Sequence, residues 1–504
     1  MLTSSETPII ASIVLVAFGI LGWSFYRARP FGKLGILAWL QSVVLMAPWL
    51  LFFGLFAAGI YINIVGIIFL LVASAAVYIF LGRQLRKLGQ DTILKQRITE
   101  RLAETASHQE SSTNGAMQPV VPAPAKEVLT IPEEELNIIK GIFGIDTFFA
   151  TETIAYQEGA IFRGNLRGDP ETVHNRLSTS LQERLGNKYR LFIVENTDGK
   201  PVMIVLPSRN DPRVTTLPQK VFAVILLVAT IATNLEATGL LLRFDLFANP
   251  ERIGETLPIG LSIFLILVTH EIGHWFLARR HQVRLSWPFF LPAVQIGSFG
   301  AITRFESVLL NRKILFDIAL AGPATGGIVS FLILVTGLLL SQSGLGWGFH
   351  PMSFQLPSEF FSGSILVGTL ARVILGSALQ SPVVEVHPLV IIGWLGLVIT
   401  ALNLMPAGQL DGGRIVQAIY GRKTAGRTTL ATLIVLGLVS LGNSLAMYWA
   451  IVIVFLQRDL ERPTLNEISE PDDARAALGL LALFLMIATL LPLTPGLAGR
   501  LGIG

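Results

Sequence analysis

The chain has 504 residues, of which 52% are hydrophobic and only 14% charged; an average soluble domain carries about a quarter of its residues charged. There is no cysteine, which excludes disulfides, iron–sulfur clusters and a thiolate nucleophile and leaves His and carboxylate groups to supply any zinc site. The net charge is only +4 and the basic residues flank apolar runs, so nucleic acid is not expected as a partner.

Three apolar runs open the chain, at 8–26, 34–57 and 62–82, each near the ~20 residues that cross a bilayer. They define an expected membrane block over residues 1–82. Met1 to Thr7 contain no Lys or Arg, so the first run reads as a span rather than a secretory signal. With no Arg- and Ser-rich transit segment ahead of it, the expected origin is bacterial. Arg27, Arg29 and Lys33 follow the first run, and Arg83, Arg86 and Lys87 follow the third. The positive-inside rule puts both places in the cytoplasm and the N-terminus outside.

Residues 83–130 read as a basic helix and a flexible linker, since 105–127 are rich in Ser, Thr, Pro and Ala and contain no aromatic residue. Residues 131–217 read as a small cytoplasmic α+β domain. A helix is expected from Pro132, and two strands over 147–168. A second helix starts at Asp169-Pro170-Glu171. Tyr189 to Glu195 and Val202 to Leu206 form a hairpin around Asn196-Thr197-Asp198-Gly199.

Further spans are expected at 220–243, 257–278, 314–340, 388–405 and 475–493, within a membrane domain covering 218–493; residues 494–504 are left as a tail. The run 429–457 is interrupted by Gly442-Asn443 and fits either one tilted helix or two short ones. Arg279, Arg280, Arg284, Arg312, Lys313, Arg414, Arg422, Lys423 and Arg427 all fall on the cytoplasmic side of this scheme. No internal repeat argues for an inverted-repeat transporter. The fold class expected is a polytopic α-helical membrane protein with a small cytoplasmic α+β domain.

The span at 257–278 contains His270-Glu271-Ile272-Gly273-His274. Residues four apart share a helix face, so both imidazoles can address one metal ion. Glu271 stands beside the first of them, where it can act as general base on an attacking water. Three ionisable residues inside an apolar span are costly and mark function. A catalytic zinc site takes three protein ligands, and Asp411 is the best third. It follows the 388–405 span in Asn403-Leu404-Met405-Pro406-Ala407-Gly408-Gln409-Leu410-Asp411-Gly412-Gly413, where Pro406 breaks the helix and the glycines permit a tight turn. Asn403 can hydrogen-bond a substrate carbonyl or the oxyanion formed from it, or simply pack between helices. A metal-ion carrier would spread polar groups along several spans, whereas here they converge at one depth.

His-Glu-x-x-His on one apolar helix, with a later Asn-x-x-Pro-x-x-x-x-Asp-Gly, resembles the site-2 protease family, peptidase family M50. Gly297-Ser298-Phe299-Gly300-Ala301-Ile302, then Phe316-Asp317-Ile318-Ala319-Leu320-Ala321-Gly322-Pro323 and Gly393-Trp394, resemble its chloroplast and cyanobacterial branch, the ethylene-dependent gravitropism-deficient and yellow-green proteases. The resemblance implies a zinc-dependent intramembrane endopeptidase acting on membrane-anchored proteins in a lipid bilayer, here a cyanobacterial plasma or thylakoid membrane. It implies His270, His274 and Asp411 as zinc ligands, Glu271 as catalytic base and Asn403 as a polar active-site residue. Gly297 to Phe305 would be a non-helical element that pairs with an unwound substrate. The PDZ domain of many family members has no room here. Substrate identity and oligomeric state are left open. His281 is expected at the interface and His387 as a cap or interface residue. Asn234 and Glu236 would line a polar cavity or pack between helices.

Overall fold

The computed structural model describes residues 131–156, 158–196, 198–294, 296–342, 353–457 and 459–503, with scattered positions between 22 and 84. The three N-terminal runs lie largely, and the linker wholly, outside the described residues. The chain divides into two compact units, 1–125 and 126–504, and both the sheet and the helices that carry the candidate site belong to the second.

Helix α1 (Glu133–Lys140) leads into strands β1 (Phe148–Tyr156) and β2 (Gly159–Leu166), helix α2 (Pro170–Leu185), and strands β3 (Tyr189–Glu195) and β4 (Pro201–Pro207). Asp169 caps α2 by accepting from the Thr172 amide at 2.9 Å, and Pro170 occupies the first helical turn, where it loses no hydrogen bond. That amide holds the Asp169 carboxyl below its usual range. Asn196 Oδ1 accepts from the amides of Asp198 and Lys200, both at 2.9 Å, and Gly199 takes φ 74°, which closes the β3–β4 hairpin. The antiparallel sheet has the order β1-β2-β4-β3. Alternate residues of β3 (Tyr189, Leu191, Ile193) point into a core with Phe148, Phe162, Leu177, Leu181 and Met203. His174 is buried there, its Nε2 3.0 Å from the Leu191 carbonyl, and burial holds its pKa below the usual imidazole value.

Edge strand β3 does not end the sheet. The Ile193 amide donates to the Leu465 carbonyl (2.8 Å) and the Glu467 amide donates to the Ile193 carbonyl (3.0 Å). The amides of Leu465 and Asn466 donate in turn to the carbonyls of Leu309 and Leu310. The segment 465–467 thus joins the sheet to the helical part and covers an edge that would otherwise be open.

The helical part contains α3 (Leu217–Leu241), α4 (Ile253–Arg280), hairpin β5 (Phe289–Ala293) and β6 (Gly297–Ile302), and α5 (Arg312–Leu340). Hairpin strands β7 (Phe354–Pro357) and β8 (Val383–Val386) enclose α6 (Ile365–Leu375). Then come α7 (Pro388–Asn403), α8 (Asp411–Val439), α9 (Ser444–Val452), α10 (Asp473–Leu490) and α11 (Pro495–Arg500). Among the described residues, the helices at 217–241, 250–280, 312–340 and 473–490 are long and apolar enough to cross a membrane.

Three differences from the sequence expectations have physical causes. The span drawn at 388–405 is a helix of 16 residues, and most of it is buried among its neighbours, so its apolar character serves packing as well as lipid. Of the two readings of 429–457, the divided one holds, but its first part is longer than expected. Its first part continues α8, which begins at Asp411 and kinks at Gly421 (φ 78°, ψ 171°); its second part is α9, capped by Asn443, followed by a π-turn at Ile453–Gln457. Residues 353–387, to which no element was assigned, form β7, α6 and β8 around Phe361, Val367, Ala371 and Leu379, in pieces too short for a span or a periodic signal.

Candidate active site

His270 and His274 are one turn apart on α4, buried at 8% and 4% exposure, with ring centroids 4.9 Å apart. Helix α5 lies close behind them because its small residues allow it. A Cβ at Gly322 would stand 2.2 Å from His274 Nε2, and one at Gly273 would stand 2.5 Å from the Ala321 carbonyl oxygen. His274 Nδ1 lies 2.7 Å from the Ile318 carbonyl oxygen. A carbonyl only accepts, so Nδ1 carries the proton and Nε2 presents its lone pair to the site.

Asp411 arrives from the opposite direction, as the first residue of α8. Its neighbours are glycines for a reason beyond turn flexibility: a Cβ at Gly412 would sit 1.8 Å from the Leu404 carbonyl oxygen, and one at Gly413 2.4 Å from the Gly408 carbonyl oxygen. The start of α8 is pressed against the end of α7 and the turn after it, which delivers the carboxylate to the imidazoles. Asp411 Oδ2 lies 3.2 Å from His270 Nε2 and 3.3 Å from His274 Nε2, and the two Nε2 atoms are 3.2 Å apart.

Those three spacings test the fit to zinc. A tetrahedral ion with arms of about 2.0–2.1 Å has ligand–ligand edges of about 3.3–3.4 Å. Two imidazole nitrogens and one carboxylate oxygen at 3.2–3.3 Å match that triangle and leave a fourth corner open. Glu271 belongs to a looser group, with ligand atoms of His270, Glu271 and His274 within 4.8 Å of one another. Its Oε2 accepts a 2.6 Å hydrogen bond from the Thr303 hydroxyl, just past β6. The tighter triangle favours Asp411 as third donor and leaves Glu271 beside the site.

Strand β6 is close to the site, as expected for the 297–305 stretch. Gly300 (φ 101°) packs against Asn403, where a Cβ would meet Asn403 Nδ2 at 2.8 Å. Asn403 is 7% exposed, and its Nδ2 donates to the Ile399 carbonyl at 3.1 Å, which leaves one amide proton for another acceptor. Glu271, His274, Asn403 and Asp411 line one narrow cleft with Ala301 and Thr303, whose free volume of about 20 Å³ admits about one water.

Sequence reasoning passed over Thr303, and it read Arg414 only as a marker of the cytoplasmic side. Arg414 is buried at 6% exposure. Its guanidinium donates to Glu461 Oε2 (3.1 Å) and to the Thr303 carbonyl (2.8 Å), and it stands 3.8 Å from Asp411 Oδ1. The one available signal was its i+3 spacing from Asp411. Glu461, which no motif marks, is 7% exposed. The remaining polar residues singled out in the sequence lie away from the three donors, and among the described residues all but Asn234 have a polar partner for the side chain. His281 Nε2 lies 3.3 Å from Asp317, which also takes a two-pronged ion pair from Arg475 at 2.7 and 2.9 Å. His387 caps α7 by accepting from the Leu389 amide. Glu236 accepts from the amides of Leu246 and Phe247, and Asn234 is packed against Gly297.

The family description "Peptidase family M50" matches residues 259–442, and "EGY3 middle domain" matches 137–212. The chain is 38% identical over 382 residues to "Probable zinc metalloprotease EGY2, chloroplastic" of Arabidopsis thaliana, covering 74% of this chain and 67% of that one. It is 36% identical over 409 residues to "Probable zinc metalloprotease EGY1, chloroplastic" of the same plant, covering 73% of each. "Probable zinc metallopeptidase EGY3, chloroplastic" is 33% identical over 382 residues, covering 72% and 66%. No solved structure matches. These relatives bear zinc-protease names, and the family match over 259–442 includes the helices that bring His270, His274 and Asp411 together; the chain therefore belongs to peptidase family M50, the zinc-dependent site-2 proteases, and is a polytopic membrane metallopeptidase of that family.

Proposed function

We propose that this zinc metalloprotease is an intramembrane endopeptidase that hydrolyses bonds of membrane-anchored proteins within or beside their transmembrane segments. One observation carries the reading: two of the three donors sit on a helix long and apolar enough to cross a membrane, and all three are buried. In this reading His270, His274 and Asp411 hold the metal. Zinc supplies, when bound, a Lewis acid and a water whose pKa falls to about 7. Glu271 takes a proton from the attacking water and returns it to the leaving amine. Thr303 holds the Glu271 carboxylate in place through its hydroxyl. Asn403 offers its remaining amide proton to the substrate carbonyl oxygen. A helical peptide bond must unwind to be reached, and strand β6 offers main-chain partners to the opened segment.

A single-span protein reconstituted with the enzyme in liposomes tests the reading. We expect cleavage that stops when a chelator removes zinc and returns when zinc is restored, with the cut mapped to the span or its edge. Cleavage confined to soluble tails, or unaffected by metal removal, would contradict it.

We also propose the domain division drawn from the sequence: membrane block 1–82, helix and linker 83–130, sheet domain 131–217, protease domain 218–493 and tail 494–504. The sheet domain is placed in the cytoplasm, where it influences which substrates are cut. The basic residues flanking the spans support this placement. The pairing of β3 with 465–467, a few residues from Glu461, supports a link to the site. Protease added outside sealed, right-side-out cells is expected to spare residues 131–210; digestion there would overturn the topology. The relatives are named chloroplastic, which gives no support to a bacterial origin.

A further inference from the structure

Two buried polar groups in the cleft take no part in the roles above. Trp449, on α9, is 1% exposed, and its indole Nε1–H has no hydrogen-bond partner among the described residues. Gln457, at the end of the π-turn, is 3% exposed, and its Oε1 likewise has none among them. Both side chains line the same cleft as Glu271, His274 and Asp411. A buried donor or acceptor left unpaired costs stability, and natural proteins keep few of them without a use.

Both groups are held in position. Phe299 of β6 packs edge-on against Trp449 at 5.6 Å and stacks on Tyr448 at 4.2 Å. The Gln457 carbonyl accepts from the Gln409 amide at 2.9 Å, two residues ahead of Asp411. The π-turn at Ile453–Gln457 inserts an extra residue into the helical path and so re-aims the side chains at its end, a device found often at functional sites. The cleft therefore has β6 along one part of its wall and, along another, one unpaired donor and one unpaired acceptor. An extended peptide presents carbonyls and amides in alternation, which is the pattern such a pair meets.

We propose that Trp449 Nε1–H and Gln457 Oε1 bind the main chain of the unwound substrate segment, Trp449 donating to a carbonyl and Gln457 accepting from an amide. The ligand class is an extended peptide recognised by its backbone, in addition to the contacts β6 provides. The inference rests on the proteolytic reading of this cleft.

The test is binding, measured with zinc-loaded Glu271→Gln enzyme in nanodiscs. The probe is a fluorescent Leu- and Ala-rich peptide of about 25 residues, long enough to span, with a central Asn-Gly. Adding Trp449→Phe or Gln457→Met is expected to weaken its binding about tenfold each. Zinc content stays at that of the parent; Tm is kept in Gln457→Met, which removes an unpaired acceptor, and falls by a few degrees in Trp449→Phe, which leaves a small cavity in the core. A peptide with N-methylated central amides should bind less tightly to the parent and show no further loss in Gln457→Met. Binding within twofold of the parent in both variants overturns the proposal. So does weaker binding accompanied by lost zinc, or a further loss for the N-methylated peptide in Gln457→Met, which would make the two side chains packing residues. Failure of the proteolytic reading shows separately, as enzyme with Glu271 intact that binds the probe and never cuts it.

Discussion

Glu271→Gln is expected to keep zinc bound while turnover falls by about 10²–10⁴-fold, the usual contribution of a positioned proton-transfer group. Gln has the same length and shape, and the Thr303 hydroxyl that donates to Glu271 Oε2 at 2.6 Å can donate equally to an amide oxygen. The side chain therefore keeps its place. His270 Nε2, His274 Nε2 and Asp411 Oδ2 lose nothing, since their 3.2–3.3 Å triangle does not include residue 271. What Gln cannot do is accept a proton. Steady-state cleavage of a single-span substrate, measured beside zinc per chain, separates the two properties. Turnover within a few-fold of wild type at full zinc occupancy would assign the base to another residue.

Asp411→Ala should lose both metal and activity. Removing an outer partner of a metal ligand already costs about 10–100-fold in affinity, so deleting a ligand should cost more than about 100-fold. Two imidazoles alone leave the tetrahedron half built. The change also removes a carboxylate from the first turn of α8, a loss of about 0.3–1 kcal/mol through the helix dipole, and leaves the buried Arg414 with Glu461 as its remaining carboxylate. Comparing Tm without zinc therefore isolates the fold effect, expected to be small beside the loss of zinc-dependent stabilisation. Zinc affinity and activity equal to wild type would remove Asp411 from the site.

The meeting of His270, His274 and Asp411 was legible because each part left a local trace. His270 and His274 obey the helical period, and Asp411 stands out in a stretch broken by Pro406 and glycines. The elements of the sheet domain were legible through alternation in Tyr189 to Glu195 and through turn residues such as Asn196 and Gly199. Thr303, Arg414, Glu461 and Trp449 were not, because their roles come from segments distant in sequence that meet only in the fold. The positive-inside rule counts Arg414 as a loop charge, whereas it is buried against Glu461 and beside Asp411. Hydropathy also blurred the boundaries around residue 429. Helix α8 runs polar residues from Asp411 into the apolar stretch that ends at Val439, so no change of composition marks its start.

The donor set at the zinc is read most directly by X-ray absorption at the zinc edge of the purified enzyme. Two imidazole nitrogens with the remaining donors all oxygen, at about 2.0–2.2 Å, are expected, and the spectrum should lose its ordered protein shell in Asp411→Ala. A third imidazole in the wild-type spectrum, or a spectrum unchanged in Asp411→Ala, would contradict the assignment of His270, His274 and Asp411.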